Sequence, residues 1–144
     1  MRHVMRVMSP TVAEDVRTAA RAWIAPLVGW TLIQWTSRIQ IVLDIDELDG
    51  FDVGWRVGVA GLFLLLGLLS AGWLFLGRPG PRVFGILCGW TTVYWLVRGT
   101  GILLDPGHGA SFKVVHAALM ATSLGLVALA VAGVRRVTRP GGQV

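Results

Sequence analysis

Four stretches of this chain are apolar for about twenty residues at a time, and short polar segments separate them. The runs cover 22–43, 54–76, 83–104 and 112–134. As an α-helix rising about 1.5 Å per residue, each is long enough to cross the roughly 30 Å hydrocarbon core of a bilayer. The connections are an acidic segment around 44–53, then Gly77–Arg82, then Asp105–Gly109. Links this short force successive helices to run antiparallel. The expected fold is all-α, an integral membrane four-helix up-down bundle occupying 22–134. Pro26 falls in the first turn of the first run, where its missing N–H costs little.

The first and third runs carry one pattern twice. Gly29-Trp30-Thr31-Leu32-Ile33-Gln34-Trp35-Thr36-Ser37-Arg38 is matched by Gly89-Trp90-Thr91-Thr92-Val93-Tyr94-Trp95-Leu96-Val97-Arg98, 60 residues later. Both read G-W-T-x-x-x-W-x-x-R, and both are soon followed by Leu-Asp. The same offset sets Arg56 on His116, Leu64 on Leu124 and Leu66 on Leu126. We read this as a duplicated helical hairpin. Each hairpin crosses twice, so the copies share one orientation, a parallel repeat about an axis along the membrane normal.

Composition supports the membrane reading. Hydrophobic residues make up 54% of the chain and charged residues 15%, with a mean hydropathy of +0.66. The formal net charge of +5 does not indicate nucleic acid, because the charges are partitioned. Nine of the thirteen basic residues (Arg2, Arg6, Arg17, Arg21, Arg78, Arg82, Arg135, Arg136 and Arg139) fall on one side under four crossings. Six of the eight acids (Asp44, Asp46, Glu47, Asp49, Asp52 and Asp105) fall on the other. Positive residues stay in the cytoplasm, so both termini are expected there, with the chain multi-pass in the plasma membrane.

Residues 1–21 form a basic cytoplasmic segment without the uninterrupted apolar core of a cleavable signal peptide. Thr11-Val12-Ala13-Glu14 fits a capping box. A short helix lying on the inner surface and a frayed basic tail are equal alternatives for this segment. A basic tail, 135–144, ends the chain. Cys88 is the only cysteine, which excludes an internal disulfide or a CxxC redox pair.

The four remaining basic residues, Arg38, Arg56, Arg98 and Lys113, fall one per helix toward the acidic side. An arginine at that depth must snorkel, pair, or face a wet cavity. On a helical wheel, Trp30, Thr31, Gln34, Trp35 and Arg38 share one arc, and Trp90, Thr91, Tyr94, Trp95 and Arg98 repeat it. Polar and aromatic residues on one face indicate the bundle interior, not lipid. Two such walls would face each other, with Arg56 and His116 closing the sides. The functional reading is an outward-facing site for an anionic or polar aromatic ligand, a lipid headgroup or a quinone, with arginines on the oxygens and tryptophans on a ring or tail. The simpler reading pairs Arg38 with Asp44 and Arg98 with Asp105, leaving the tryptophans to fill space.

Other patterns point away from catalysis. The acidic stretch Asp44–Asp52 resembles a calcium loop but lacks the glycine and glutamate an EF-hand requires. His108 and His116 have no second histidine placed to ligate a haem. No metal spacing, phosphate loop or Ser-His-Asp set is present. Gly54-x-x-x-Gly58 and Ala117-x-x-x-Ala121-x-x-x-Gly125 are small-residue faces, expected to pack inside the bundle rather than form a dimer seam.

The second run, Gly58-Val59-Ala60-Gly61-Leu62-Phe63-Leu64-Leu65-Leu66-Gly67-Leu68, resembles the Gly-Leu-rich second helix of DoxX-like proteins. The resemblance implies a small bacterial inner-membrane four-helix protein with cytoplasmic termini. Some members are subunits of quinone-linked oxidoreductase complexes. Members often carry an acid four residues before the Gly-Leu pair, here Gly61-Leu62; Val57, beside Arg56, stands there, so no functional residue carries over. Two functions are therefore expected of this chain. The first is a non-catalytic accessory or interaction subunit of a membrane complex. The alternative is a small transporter or a lipid- or quinone-binding protein using the Trp/Arg walls.

Overall fold

The computed structural model describes residues 10–44, 50–77 and 80–138. It is all-helical, with four helices and no strand among these residues. Helix α1 spans Pro10–Leu43 and α2 spans Gly50–Leu76. Helix α3 runs Pro81–Tyr94, and its backbone continues through a π-helical turn, Trp95–Gly99, into a last turn, Thr100–Leu104. Helix α4 spans Ala110–Thr138.

A helix does start near Thr11, but it does not stop before the first apolar run. Residues 10–43 form one helix of 34 residues. Between them, Thr18-Ala19-Ala20-Arg21-Ala22 offers no breaker and is rich in good helix formers. Pro26 therefore sits in a helix interior rather than a first turn, where the Ala22 carbonyl loses its i→i−4 donor. The acidic connection is likewise shorter than expected, because Gly50–Val53 already belong to α2, with Asp52 in its first turn. Negative charge there suits the positive end of the helix dipole. Asp46, Glu47, Asp49, Arg2, Arg6, Arg78 and Arg139 lie outside the described residues.

Helix α1 packs against α2 and α4, and α3 packs against the same two. Helices α1 and α3 are thus diagonal, as are α2 and α4. Neighbours run antiparallel. At one end of the α1–α2 seam the Arg21 Nε–H donates to the Leu74 carbonyl at 2.9 Å, and near the other end Trp35 stacks on Phe63. On the α1–α4 seam Trp23 approaches Gly133 so closely that a Cβ there has no room, while further along Trp30 reaches Ser123. The α2–α3 seam matches Trp73 with Phe84 and Phe63 with Trp90. Gly77, at φ 76°, ends α2 in the left-handed conformation that glycine adopts without cost.

Burial follows the repeat. Leu27, Val28, Thr31, Trp35 and Val42 are buried on α1, and Leu87, Cys88, Thr91, Trp95 and Ile102 are buried 60 positions later on α3. Helices α2 and α4 correspond at Phe63 with Ser123, Gly67 with Val127 and Ser70 with Ala130, all buried. Two helices, Gly50–Leu76 and Ala110–Val137, are long and apolar enough to cross a membrane. Helices α1 and α3 fall short of that measure for a physical reason. They carry the polar stripe of both motif copies, and α3 is interrupted by the π turn.

The small-residue faces do not pack as expected. A Cβ added at Gly54, Gly58 or Gly125 would meet nothing within 4 Å, and all three residues are exposed. These faces look outward. The close approach inside the assembly is made at Gly67, whose added Cβ would lie 3.0 Å from Leu32.

Candidate functional site

An aromatic cluster occupies the centre, where the seams meet. Phe63 is fully buried. Its ring stacks on Trp35 at 4.0 Å between centroids, and Tyr94 meets it edge-on at 5.2 Å. Trp35 and Tyr94 also touch edge-on at 5.2 Å, across the α1–α3 diagonal. These edge-to-face contacts suit the quadrupoles of the rings. Together Trp35 and Tyr94 make a wall with a cavity on each side.

The larger cavity, of about 580 Å³, is lined by Arg38, Arg56 and Arg98, with Trp90, Trp35 and Tyr94 as its aromatic surface. The smaller, of about 260 Å³, is lined by Trp30, Gln34, Trp95 and His116, and shares Trp35, Arg38, Tyr94 and Arg98 with the first. All ten sequence-selected residues therefore line one cavity or the other. They were expected to enclose one site, and the structure divides them between two.

The two cavities are related by the 60-residue offset. Trp90, Val93, Tyr94, Val97 and Arg98 line the larger, and Trp30, Ile33, Gln34, Ser37 and Arg38 line the smaller in the same order. Arg56 and Val59 on α2 correspond to His116 and Leu119 on α4. Trp35 and Arg38 also face the larger cavity, as Trp95 and Arg98 face the smaller.

The copies differ in how their tryptophans are satisfied. On α1, Trp30 Nε1–H donates to Ser123 Oγ at 3.0 Å, and that hydroxyl lies 3.4 Å from Gln34 Oε1, to which it donates. At the equivalent seam Phe63 stands where Ser123 would be, and an aromatic ring supplies no oxygen acceptor. Trp90 Nε1 is accordingly buried with no partner, as is Trp95 Nε1. A buried N–H without an acceptor is destabilising unless a ligand or water completes it.

Among the described residues, neither the expected pairing of Arg38 with Asp44 nor that of Arg98 with Asp105 is found. Asp105 instead turns into its own loop, where its Oδ1 accepts from the Gly107 N–H at 2.8 Å and its Oδ2 lies 2.9 Å from His108 Nδ1. The latter contact lies off the axis of a directed hydrogen bond and becomes an ion pair only when the imidazole is protonated. The guanidinium charges of Arg38, Arg98 and Arg56 all act on Tyr94. Lys113 lines neither cavity.

His108 begins a ladder down one face of α4. It stacks on Phe112 at 4.7 Å, and Phe112 lies 4.0 Å from His116. His116 Nδ1 is 2.9 Å from the Phe112 carbonyl. A carbonyl only accepts, so Nδ1 carries the proton.

The Gly107 N–H holds the Asp105 carboxyl below the usual carboxylate range, with smaller contributions from His108 and Lys113. A carboxylate whose folded pKa is depressed contributes stability that is complete above its ordinary value near 4 and lost as pH falls through the depressed one. The stability difference between the wild type and Asp105→Ala should therefore shrink on acidification in that window. A thermal-melt series that kept the difference constant down through that window would show that this turn contributes nothing through the charge.

Sequence reasoning missed Asp52 and Trp55, which also line the larger cavity, and it missed Phe63 and Ser123. Asp52 lies one helical turn before Arg56, a spacing that sets two residues on one face. For Phe63 and Ser123 the signal was their shared place in the repeat. Comparison with known families, curated proteins and solved structures finds no match.

Proposed function

We propose that this chain is a four-span membrane protein whose larger cavity binds the anionic headgroup of an amphiphilic ligand. In this reading it is an up-down bundle of two parallel-repeat hairpins in the plasma membrane, with both termini cytoplasmic. The outward faces support it. Leu65, Leu68, Phe75, Ile86, Leu96 and Leu129 are exposed, a surface that water would oppose and lipid chains would accept. The polar stripes of α1 and α3 turn toward each other, which accounts for apolar outer faces on helices of lower mean hydropathy.

One observation carries the ligand assignment: three arginines line one cavity against a single carboxylate, Asp52, so its lining keeps an excess of positive charge. Cations gathered in a partly desolvated site repel one another and call for an anion. A phosphate or carboxylate accepts forked hydrogen bonds from guanidinium groups. The Trp90 N–H lacks an acceptor, which an anionic oxygen supplies. The volume, about 580 Å³, lies in the range of small-molecule sites, and the aromatic wall suits the first carbons of a tail.

The test uses the full chain in phosphatidylcholine nanodiscs, with quenching of tryptophan fluorescence by lipid brominated in its acyl chains. Brominated phosphatidic acid should quench saturably, and brominated phosphatidylcholine should not. Inorganic phosphate as competitor separates a free-anion site, which it would clear, from a headgroup site, which it would not. Equal, non-saturating quenching by both lipids removes the proposal.

A second reading, an accessory subunit, draws on the outward Gly54-x-x-x-Gly58 face, because small residues let a partner helix approach closely. Isolation from its own membranes at native abundance decides it. A chain that always emerges alone is no subunit.

A further inference from the structure

The smaller cavity is more than a remnant of the larger. We propose that it is a second ligand site, and that it selects a neutral one-ring aromatic molecule bearing a carbonyl or hydroxyl oxygen. The inference rests on reading the larger cavity as a ligand site, since the two are related position by position.

The differences between the cavities set the selectivity. Where the larger has Arg56, the smaller has His116, so the third fixed cation is gone. Where the larger has Tyr94 and Val97, the smaller has Gln34 and Ser37. Arg38 and Arg98 are common to both, so the difference lies in the lost third cation and the gained amide and hydroxyl. What the smaller cavity then offers is a lining that joins the aromatic residues Trp30 and Trp95 to the polar groups of Gln34, Ser37 and His116.

The space fits one ring. A dry cavity of roughly 150 Å³ accepts benzene, and this one measures about 260 Å³, which leaves room for a short substituent. The polar requirement comes from Trp95. Its residue is 4% exposed, it lines the cavity, and its Nε1–H has no partner. That donor needs an oxygen. His116, with its Nδ1 proton committed to the Phe112 carbonyl, keeps a lone pair on Nε2 when neutral and so completes a hydroxyl as readily as Trp95 completes a carbonyl.

The experiment is photolabelling of the full chain in phosphatidylcholine nanodiscs with 4-azidoacetophenone, followed by peptide mapping. Labelling is expected on α4 around His116 and Leu119 and on α1 around Ile33, with protection by unlabelled acetophenone. Trp95→Phe keeps the ring and removes the N–H, and it should raise the acetophenone concentration needed for protection about fivefold or more. Leu119→Trp, which fills the cavity, serves if Trp95→Phe does not fold, and it should abolish protectable labelling. Arg56→Ala should leave the labelling intact while removing phosphatidic acid binding.

Three results overturn the second site. One is the absence of protectable labelling, meaning that the cavity holds only water. Another is protectable labelling confined to Val93 and Val97, in the larger cavity. The third is protection unchanged by Trp95→Phe. Intact protectable labelling without phosphatidic acid binding by the wild type counts against the larger-cavity reading alone. The reverse counts against this one alone.

Discussion

Arg98→Ala and Arg38→Ala should each weaken phosphatidic acid binding by about tenfold to a hundredfold. The scale follows from a hydrogen bond to a charged group, about 1.5–3 kcal/mol when lost. The two losses should be similar, because the residues occupy equivalent positions and both line the larger cavity. Melting of the ligand-free variants separates a binding role from a structural one. A residue that only holds the fold together lowers the melting temperature when it is removed. Removal of one cation from a lining with excess positive charge leaves it unchanged or raises it. Lysine at either position should restore part of the affinity, since the charge returns without the planar fork. If the double alanine variant binds phosphatidic acid as the wild type does, the arginines are not the site.

Phe63→Ala should have the largest effect on stability, about 3–5 kcal/mol. Phe63 is fully buried and touches the rings of Trp35, Trp90 and Tyr94. Its removal opens a void where three seams converge, and large neighbouring rings cannot collapse into it without leaving their own contacts. Chemical or thermal unfolding in a mild detergent measures the change. A loss under about 1 kcal/mol, the range of volume-conserving swaps, would mean that the cluster repacks and that Phe63 does not organise it. Phe63→Leu keeps most of the volume and should cost much less.

The apolar periodicity made the four helices legible in the sequence, and the offset of Trp30 and Arg38 from Trp90 and Arg98 made the related walls legible. Those signals are local or strictly periodic. The division into two cavities was not legible, because it depends on which rings meet across the α1–α3 diagonal, where Trp35 and Tyr94 form the partition. Phe63 was hidden for a related reason. In a helix as uniformly apolar as α2, a wheel cannot tell the inward phenylalanine from Phe75, which faces out. The π turn at Trp95–Gly99 left no mark either, since the first motif copy has the same Trp and Arg spacing, Trp35 and Arg38, in a regular helix. Asp105 was assigned to Arg98 by sequence distance, whereas the nearer Gly107 N–H took it. The outward Gly54 and Gly58 face was misassigned because, among the described residues, the close approaches fall at other glycines, Gly67, Gly99 and Gly133.

The Phe63–Ser123 correspondence carries a further consequence, one of symmetry. Two identical hairpins associating as a homodimer must place the same residue at both equivalent points of an isologous contact. A phenylalanine at both would leave both motif tryptophans without an acceptor, and a serine at both would empty the ring stack at the centre. Joining the hairpins into one chain lifts that restriction. One seam became polar, with Trp30 held by Ser123, and the other became aromatic, with the Trp90 N–H left open. A fused pair, unlike a homodimer, can be lopsided in this way. The lopsidedness leaves Trp30 of the smaller cavity satisfied and the Trp90 N–H of the larger one open.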